Sequence, residues 1–277
     1  MVKGHSQFDC VPFYCTSGGK HPTLTQRQAI RDIAYLAAVS VIAVIWLSPL
    51  IEPTRVALPA LPSILKSTTV QRWLFNSAFV SITHTLLQLT LCTCAAYAFA
   101  RIPFFGRRSI YLIVISGFMV PEQAIFLPIY LLFADMQLHN TYTALILPGV
   151  ASPVAVFLLT QFFRSIPIEL DEAAKLDGAG RLYTFLRIII PLSAPILVVI
   201  MIYAFLANWN SYLWPLVSAT KQDMWTITIA LKKYVQTSGM VGGVAAAWLA
   251  GLPLMILFLI FQRRFFNGLH LYSGFNS

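Results

Sequence analysis

The chain alternates between long apolar runs and short polar segments. An α-helix needs about 20 apolar residues to cross a bilayer, and six runs meet that length. Only helices and closed barrels satisfy their backbone hydrogen bonds in lipid, and these runs are too long for barrel strands. The pattern therefore predicts an all-α integral membrane protein with six transmembrane helices, at approximately residues 33–51, 74–99, 110–134, 143–163, 192–214 and 244–262.

Composition agrees with a membrane protein and excludes an ordinary soluble domain. Hydrophobic residues make up 58% of the 277 positions and charged residues only 10%, whereas a soluble domain carries about 25% charged residues. The net charge of +9 is spread through short loops, so it does not indicate nucleic-acid binding. The four cysteines lack the spacing of a zinc site, and we expect no bound metal.

The distribution of positive charge predicts the orientation of the spans. With six spans both termini lie on one side, and thirteen of the 19 Lys and Arg residues fall in the termini and loops of that side. Basic loops remain in the cytoplasm. We therefore expect a multi-pass protein with a cytoplasmic tail at 1–32, a six-helix membrane domain at 33–266 and a second cytoplasmic tail at 267–277.

The loop between the fourth and fifth predicted spans concentrates negative charge. Four of the ten acidic residues fall there within nine positions: Glu169, Asp171, Glu172 and Asp177. The segment is rich in good helix formers and is bounded by Pro167 and Gly178, and these residues are typical of helix starts and ends. We predict a short amphipathic helix in the cytoplasm, with one face of small residues available to a partner.

The same loop resembles the signature of ABC importer permeases, E-A-A-x3-G-x9-I-x-L-P. The segment Glu172-Ala173-Ala174, Gly178, Ile188 and Pro191 are in register with it, and Ile190 replaces the usual Leu. Five other segments are similar to carbohydrate-uptake permeases of the maltose-transporter type: Phe99–Arg107, Pro121-Glu122, Ile129–Leu132, Asn140–Pro148 and Asn208–Leu216. The resemblance extends over roughly residues 30–266.

This resemblance implies that the loop forms a coupling helix, which docks in a cleft of a cytoplasmic ATPase. It also implies a bacterial inner-membrane complex with a second permease subunit, two ATPase subunits and an extracellular solute-binding protein. A sugar or sugar derivative would cross it by alternating access. The implied ATPase-coupling residues are Glu169, Glu172, Ala173, Ala174, Leu176, Asp177 and Gly178.

ATP hydrolysis is expected on another subunit. The chain has no phosphate-binding G-x4-G-K-[ST] motif. We therefore expect that it is not an enzyme and binds no cofactor itself, and that ATP and Mg are bound by the partner ATPase.

Polar residues within the predicted spans are candidates for the substrate pathway. His84 and Gln88 share one face of the second span, and Glu122 lies at a similar depth in the third. An intramembrane carboxyl costs at least ~2.5 kcal/mol and usually faces a cavity or a partner. We hypothesise that these three residues line the internal cavity or pair with each other.

The outer end of the fifth span combines aromatic rings with amides, which suits sugars because the rings stack on apolar faces and the amides bind hydroxyls. An interfacial aromatic belt is the alternative. The candidates are Trp209, Asn210, Tyr212 and Trp214.

Two other functions remain open at this point. Importers of glycerol phosphate or its diesters are similar to the sugar group in sequence. No predicted span has a central Arg or Lys for an anionic solute, which favours a neutral one, although the second permease could supply that charge. A membrane-embedded enzyme would need a catalytic pair within the bilayer. His84 with Glu122 is the one candidate pair, and no nucleophile or metal-ligand motif accompanies it.

Overall fold

The computed structural model of the chain describes residues 24–273, so residues 1–23 and 274–277 of the predicted tails lie outside the described residues. The described part is helical, without strands, as the apolar runs predict. Its helices are α1 (Leu24–Ala57), α2 (Leu61–Leu65), α3 (Thr68–Arg101), α4 (Arg107–Ser116), α5 (Glu122–Asp135), α6 (Tyr142–Ile146), α7 (Pro153–Ser165), α8 (Glu169–Leu176), α9 (Arg181–Thr184), α10 (Ile190–Leu192), α11 (Ala194–Trp209), α12 (Leu213–Ser218) and α13 (Ile227–Ser273).

Two unbroken stretches of the described chain are long and apolar enough to cross a membrane, namely α3 and the segment Gly242–Ile260 of α13. Three bent pairs pass the same test together. Residues Arg107–Met119 meet α5 at 101°, α7 meets α8 at 71°, and Arg181–Leu192 meets α11 at 78°. Counting each pair as one span gives up to five spans, and α1 adds the shorter apolar helix Tyr35–Ser48.

Glycine and proline explain where the predicted third and fourth spans break. Gly117 begins a 3-10 turn after α4, and Pro121 stands immediately before α5. The helix breaks between them because proline lacks the backbone N–H that would bond to the preceding turn. The predicted span 110–134 is therefore bent. The predicted span 143–163 consists of α6 and α7, which are separated by a turn at Gly149 with a φ of 80°.

The described residues form two separate compact units, one up to residue 52 and the other from residue 53 onward. In the second unit, α3 runs beside α7 and α11 and also contacts α13. The C-terminal half of α3 belongs to an apolar cluster that includes the fully buried Leu159, Phe163 and Ile189. Its N-terminal half belongs to another cluster, which contains Trp73 and Trp209. The helix α3 is therefore the common packing surface of this unit.

One face of α3 is polar yet buried. We call it the polar stripe; its members are Asn76, Ser77, Ser81, His84, Thr85 and Gln88. The Ser77 hydroxyl accepts the backbone N–H of Ile227 at 2.7 Å, and the Ser81 hydroxyl donates to the side-chain oxygen of Asn208 at 3.0 Å. Such bonds join helices in an apolar setting, where water does not compete for them. The stripe therefore connects α3 to α11 and to the start of α13.

Candidate functional site

The acidic loop contains a separate short helix, α8, at the position where the sequence predicts a coupling helix. Three carboxylates lie in its first turn, those of Glu169, Asp171 and Glu172, and Lys175 lies in its last turn. This order of charges is the one that a helix dipole favours. The helix is therefore stabilised locally by its own sequence.

The C-terminal end of α8 is closed by a Schellman motif. The N–H of Ala179 donates to the carbonyl of Ala174 at 2.8 Å, and the N–H of Gly178 donates to that of Lys175 at 3.0 Å. Gly178 has a φ of 78°, a left-handed conformation that glycine adopts without the steric cost of a Cβ. The sequence prediction that the helix ends at this glycine agrees with the geometry.

The two faces of α8 differ in exposure. Asp171 and Ala174 are buried against the rest of the protein, as their spacing of three residues allows. Glu172, Ala173 and Leu176 point away, and Leu176 is 89% exposed. Ala174 was expected among the partner-contacting residues but packs inward here, because it shares a face with Asp171. We call Glu172, Ala173 and Leu176 the outer face of α8.

Arg101, the last residue of α3, contacts both α7 and α8. Its Nη2 donates to the carbonyl of Phe163 at 2.8 Å and to that of Ile166. Its Nη1 lies 3.1 Å from Oδ2 of Asp171, and the two side chains are only 7% and 12% exposed. Sequence analysis did not select either residue as a site residue. The signal was present for Asp171, since it lies on the same helical face as Ala174.

The predicted pathway residues on α3 are buried within the chain. Nδ1 of His84 lies 2.7 Å from the carbonyl oxygen of Ile146, and Nε2 lies 3.1 Å from Oε1 of Gln88. Both ring nitrogens therefore have partners in α6 and α3. His84 and Gln88 are 6% and 3% exposed. In this conformation they join helices, and the hypothesised pairing with Glu122 is not formed.

Glu122 lies at the first turn of α5, immediately after the bend, and is exposed. Within the described part of the chain its carboxylate has no hydrogen-bond or ion-pair partner. The N-terminus of a helix favours a negative charge, which explains why a carboxylate is tolerated at this position. Its exposure leaves it available to solute, solvent or another subunit.

The aromatic and amide candidates near the end of α11 separate into buried and accessible groups. Trp209 is 3% exposed, donates its indole N–H to the carbonyl of Ala250 at 3.1 Å and belongs to an apolar cluster. The indole N–H of Trp214 donates to the carbonyl of Ala144 at 2.7 Å. Asn210 is exposed, and Tyr212 is partly buried with the ammonium of Lys232 5.1 Å from its ring centroid. Asn210 is thus the exposed member, Tyr212 and Trp214 are both partly buried, and Trp209 is buried.

No group of three or more His, Cys, Asp or Glu side chains in the described part of the chain is arranged to hold a metal ion.

The sequence of the chain is similar to a known family and to individual relatives. Residues 92–270 match the family described as binding-protein-dependent transport system inner membrane component. The arabinooligosaccharides transport system permease protein AraQ of Halalkalibacterium halodurans is 37% identical over 199 residues, which is 71% of each chain. The sn-glycerol-3-phosphate transport system permease protein UgpE of Yersinia pestis is 33% identical over 207 residues, 73% of this chain and 74% of that protein.

A solved structure supports the fold. One chain of a bacterial ABC transporter involved in the import of the acidic polysaccharide alginate superposes with a TM-score of 0.72 at 20% identity. The match covers 91% of this chain and 99% of that one.

Proposed function

The chain belongs to the family of binding-protein-dependent transport system inner membrane components, and we propose that it forms half of the translocation pathway of an ABC importer for a sugar or sugar derivative. Its membership confirms the resemblance of the chain to importer permeases. The proposed complex contains a second permease subunit, two ATPase subunits that bind ATP and Mg, and an extracellular solute-binding protein. Alternating access would move the solute across the bacterial inner membrane.

The observation that carries the coupling role is the construction of α8. Its inner side is buried through Asp171 and Ala174, while Glu172 and Leu176 are exposed. A helix that is held on one side and free on the other suits docking into a cleft of a second protein. We therefore assign α8 as the coupling helix and its outer face as the ATPase contact, with Glu169, Asp177 and Gly178 at its borders.

We propose that six spans place both tails in the cytoplasm. They correspond to the apolar part of α1, to α3, to α4 with α5, to α6 with α7, to α11 with α12, and to the segment Gly242–Ile260 of α13. The bend of 101° within the third of these spans supports a pathway role, because irregular backbone at membrane depth is tolerated where it lines a protein-enclosed cavity.

Within the pathway, Glu122, Asn210 and Tyr212 are the proposed solute contacts. Glu122 and Asn210 are exposed polar side chains, and Tyr212 is a half-buried ring. His84, Gln88, Trp209 and Trp214 would then support the pathway wall.

The solute is proposed to be neutral. The relative AraQ is named for arabinooligosaccharide transport, and the exposed carboxylate of Glu122 would repel an anion. The second candidate is glycerol phosphate or one of its diesters, which the likeness to UgpE and the ammonium of Lys232 beside Tyr212 favour. Uptake by the complete complex in vesicles, compared between neutral oligosaccharides and glycerol phosphate, distinguishes the two solutes.

The coupling role is tested by attachment of the ATPase. We expect Glu172→Arg and Leu176→Asp to abolish copurification of the ATPase subunits with the permease pair. The first reverses a charge on the outer face of α8, and the second replaces its exposed apolar side chain with a charged one. Asp135→Arg is the matched control, since Asp135 is an exposed carboxylate at the end of α5. Retention of the ATPase by both α8 variants would refute the assignment. Substrate turnover by the purified chain without any ATPase would instead favour a membrane-embedded enzyme.

A further inference from the structure

The cytoplasmic loop 164–191 is attached to one end of one long helix. Arg101 ends α3, a helix of 34 residues, which corresponds to about 50 Å of rigid rod at 1.5 Å per residue. The guanidinium of Arg101 donates hydrogen bonds to the carbonyl groups of Phe163 and Ile166. These are among the carbonyls that the end of α7 leaves without helical partners. Arg101 therefore fixes the end of α7 onto the end of α3.

The same guanidinium reaches α8. Its Nη1 lies 3.1 Å from Oδ2 of Asp171, with both side chains nearly buried, and this is the one ion pair among the described residues. A buried charge without a partner is strongly unfavourable. Arg101 and Asp171 therefore hold each other at this position, and α8 is linked to α3 through side chains rather than through the chain alone.

A second attachment lies one turn back along α3. The hydroxyl of Tyr97 donates to the carbonyl of Arg181 at 3.3 Å, and its ring lies 4.5 Å from that of Phe185. The end of α3 thus contacts the loop both before and after α8. A displacement of α8 must act on α3 or break these contacts.

The ion pair is close but not directional. Oδ2 of Asp171 has no hydrogen-bond partner in the described chain, and Nε of Arg101 is also buried without one. Charge attraction depends on distance, whereas a hydrogen bond also depends strongly on angle. The pair can therefore resist separation of α8 from α3 while it allows α8 to rotate by a small amount.

We propose that Arg101 and Asp171 are positioning residues for energy coupling, which transmit movement of α8 to the membrane helix α3. This inference rests on the proposed function of α8 as the coupling helix. It adds that the outer face of α8 decides whether the ATPase binds, whereas the Arg101–Asp171 pair decides whether its movement reaches the transport pathway.

The test uses the complete reconstituted complex and measures solute transported per ATP hydrolysed. We expect Arg101→Gln and Asp171→Asn to retain the ATPase subunits but to lower this ratio about tenfold, within the range of typical coupling effects. The double variant should be no worse than the worse single variant, because both changes remove one link. Arg108→Gln, which removes an exposed arginine from the start of α4, should leave the ratio unchanged.

A conservative variant and a distance measurement separate transmission from folding. Asp171→Glu keeps the negative charge and should restore most of the ratio. With the other native cysteines replaced by serine, spin labels at the exposed Cys94 of α3 and at Lys175→Cys on α8 report the separation of the two helices. We expect a narrow distance distribution in the parent complex and a broad one with Arg101→Gln.

The outcomes separate the two proposals. An unchanged transport ratio in both single variants, multiplied effects in the double variant, or an unchanged distance distribution would each overturn the transmission role. If Arg101→Gln does not assemble, Asp171→Asn and Asp171→Glu decide in the same way, since the first keeps the size of the Asp171 side chain and the second keeps its charge. Failure of the coupling-helix assignment is recognised independently, because the ATPase would then remain attached to the outer-face variants.

Discussion

Gly178 ends α8 in a backbone conformation that other residues adopt at a cost. Its φ is 78°, and a Cβ built there meets no atom within 4 Å. Gly178→Ala should therefore destabilise the end of α8 by about 1–2 kcal/mol from backbone strain alone. We expect less ATPase to copurify with the permease pair when the ATPase concentration is limiting. Gly180→Ala is the matched control, because Gly180 also has open space but a φ of −73°. Equal effects of the two changes would contradict this explanation.

Glu122 is an exposed carboxylate within a predicted transmembrane span, where charged side chains are rare. We expect Glu122→Gln to lower solute uptake about tenfold, in the range that a lost charged hydrogen bond produces, while the complex still assembles. The measurement is initial uptake rate against solute concentration in vesicles that contain the complete complex. Asp135→Asn removes a carboxylate from the other end of α5 and should have no such effect. Normal uptake by Glu122→Gln would remove this residue from the pathway.

Single residues also show where sequence reasoning stops. Gly178 was found because its role is local, and a glycine after a run of helix formers is a strong signal. The Arg101–Asp171 pair was not found, because 70 positions separate two residues that both resemble ordinary loop charges. Trp209 was expected near the solute but lies in an apolar cluster, because the sequence shows the residue type but not its direction within the bundle.

Among the structural elements, two loops are joined by the side chain of Asn140. Its Nδ2 donates to the hydroxyl of Thr220 at 2.9 Å, its Oδ1 accepts the N–H of Lys221 at 2.7 Å, and its own N–H donates to the carbonyl of Ser218 at 2.8 Å. The φ of Asn140 is 61°, which asparagine tolerates better than most residues. The loop after α5 and the loop after α12 therefore form one surface, on the side proposed to face outward.

This surface gives a prediction at the scale of elements. Asn140→Gly keeps the left-handed backbone but removes the side-chain bonds, and it should lower stimulation of the ATPase by the binding protein while basal hydrolysis stays unchanged. Asn140→Ala adds backbone strain of about 1–2 kcal/mol, so its thermal stability in detergent should be lower than that of the glycine variant. Gln137→Gly is the control, since Gln137 has a φ of 55° and an exposed side chain. Full stimulation in both Asn140 variants would show that the surface is not a contact.

The apolar pattern predicted the helices better than their shapes. Pattern and length place α3 and the segment Gly242–Ile260 of α13 well, since both are uninterrupted. The third predicted span bends by 101°. Hydropathy cannot predict this angle, because the angle depends on how neighbouring helices pack around the break between Gly117 and Pro121. The short α8, in contrast, was predicted together with its ends, since its cap and charges are encoded locally.

At the scale of the whole molecule, α3 connects the proposed coupling helix to the loop before α13. Its last residue, Arg101, contacts the proposed coupling helix, and its N-terminal part contacts the loop before α13. There Asn76, which is fully buried, donates to the carbonyl groups of Asp223 at 2.8 Å and Trp225 at 3.0 Å, and accepts the hydroxyl of Tyr142 at 2.7 Å. A rigid helix with one end at each partner surface can relate solute delivery to ATP hydrolysis.

Asn76 therefore provides a test of communication along the whole molecule. Asn76→Asp keeps the acceptor for the Tyr142 hydroxyl but replaces the donating amide with a carboxylate oxygen that faces two carbonyl oxygens. The buried carbonyls then lack a donor, and each unsatisfied buried group lowers stability by about 1–3 kcal/mol. We expect lower thermal stability and at least partial loss of ATPase stimulation by the binding protein, although the ATPase contact itself is intact. Thr68→Ala, an exposed change at the first turn of the same helix, is the control. If Asn76→Asp lowered stability but left stimulation complete, the outer end of α3 would be structural only, and transmission through α3 would be confined to its Arg101 end.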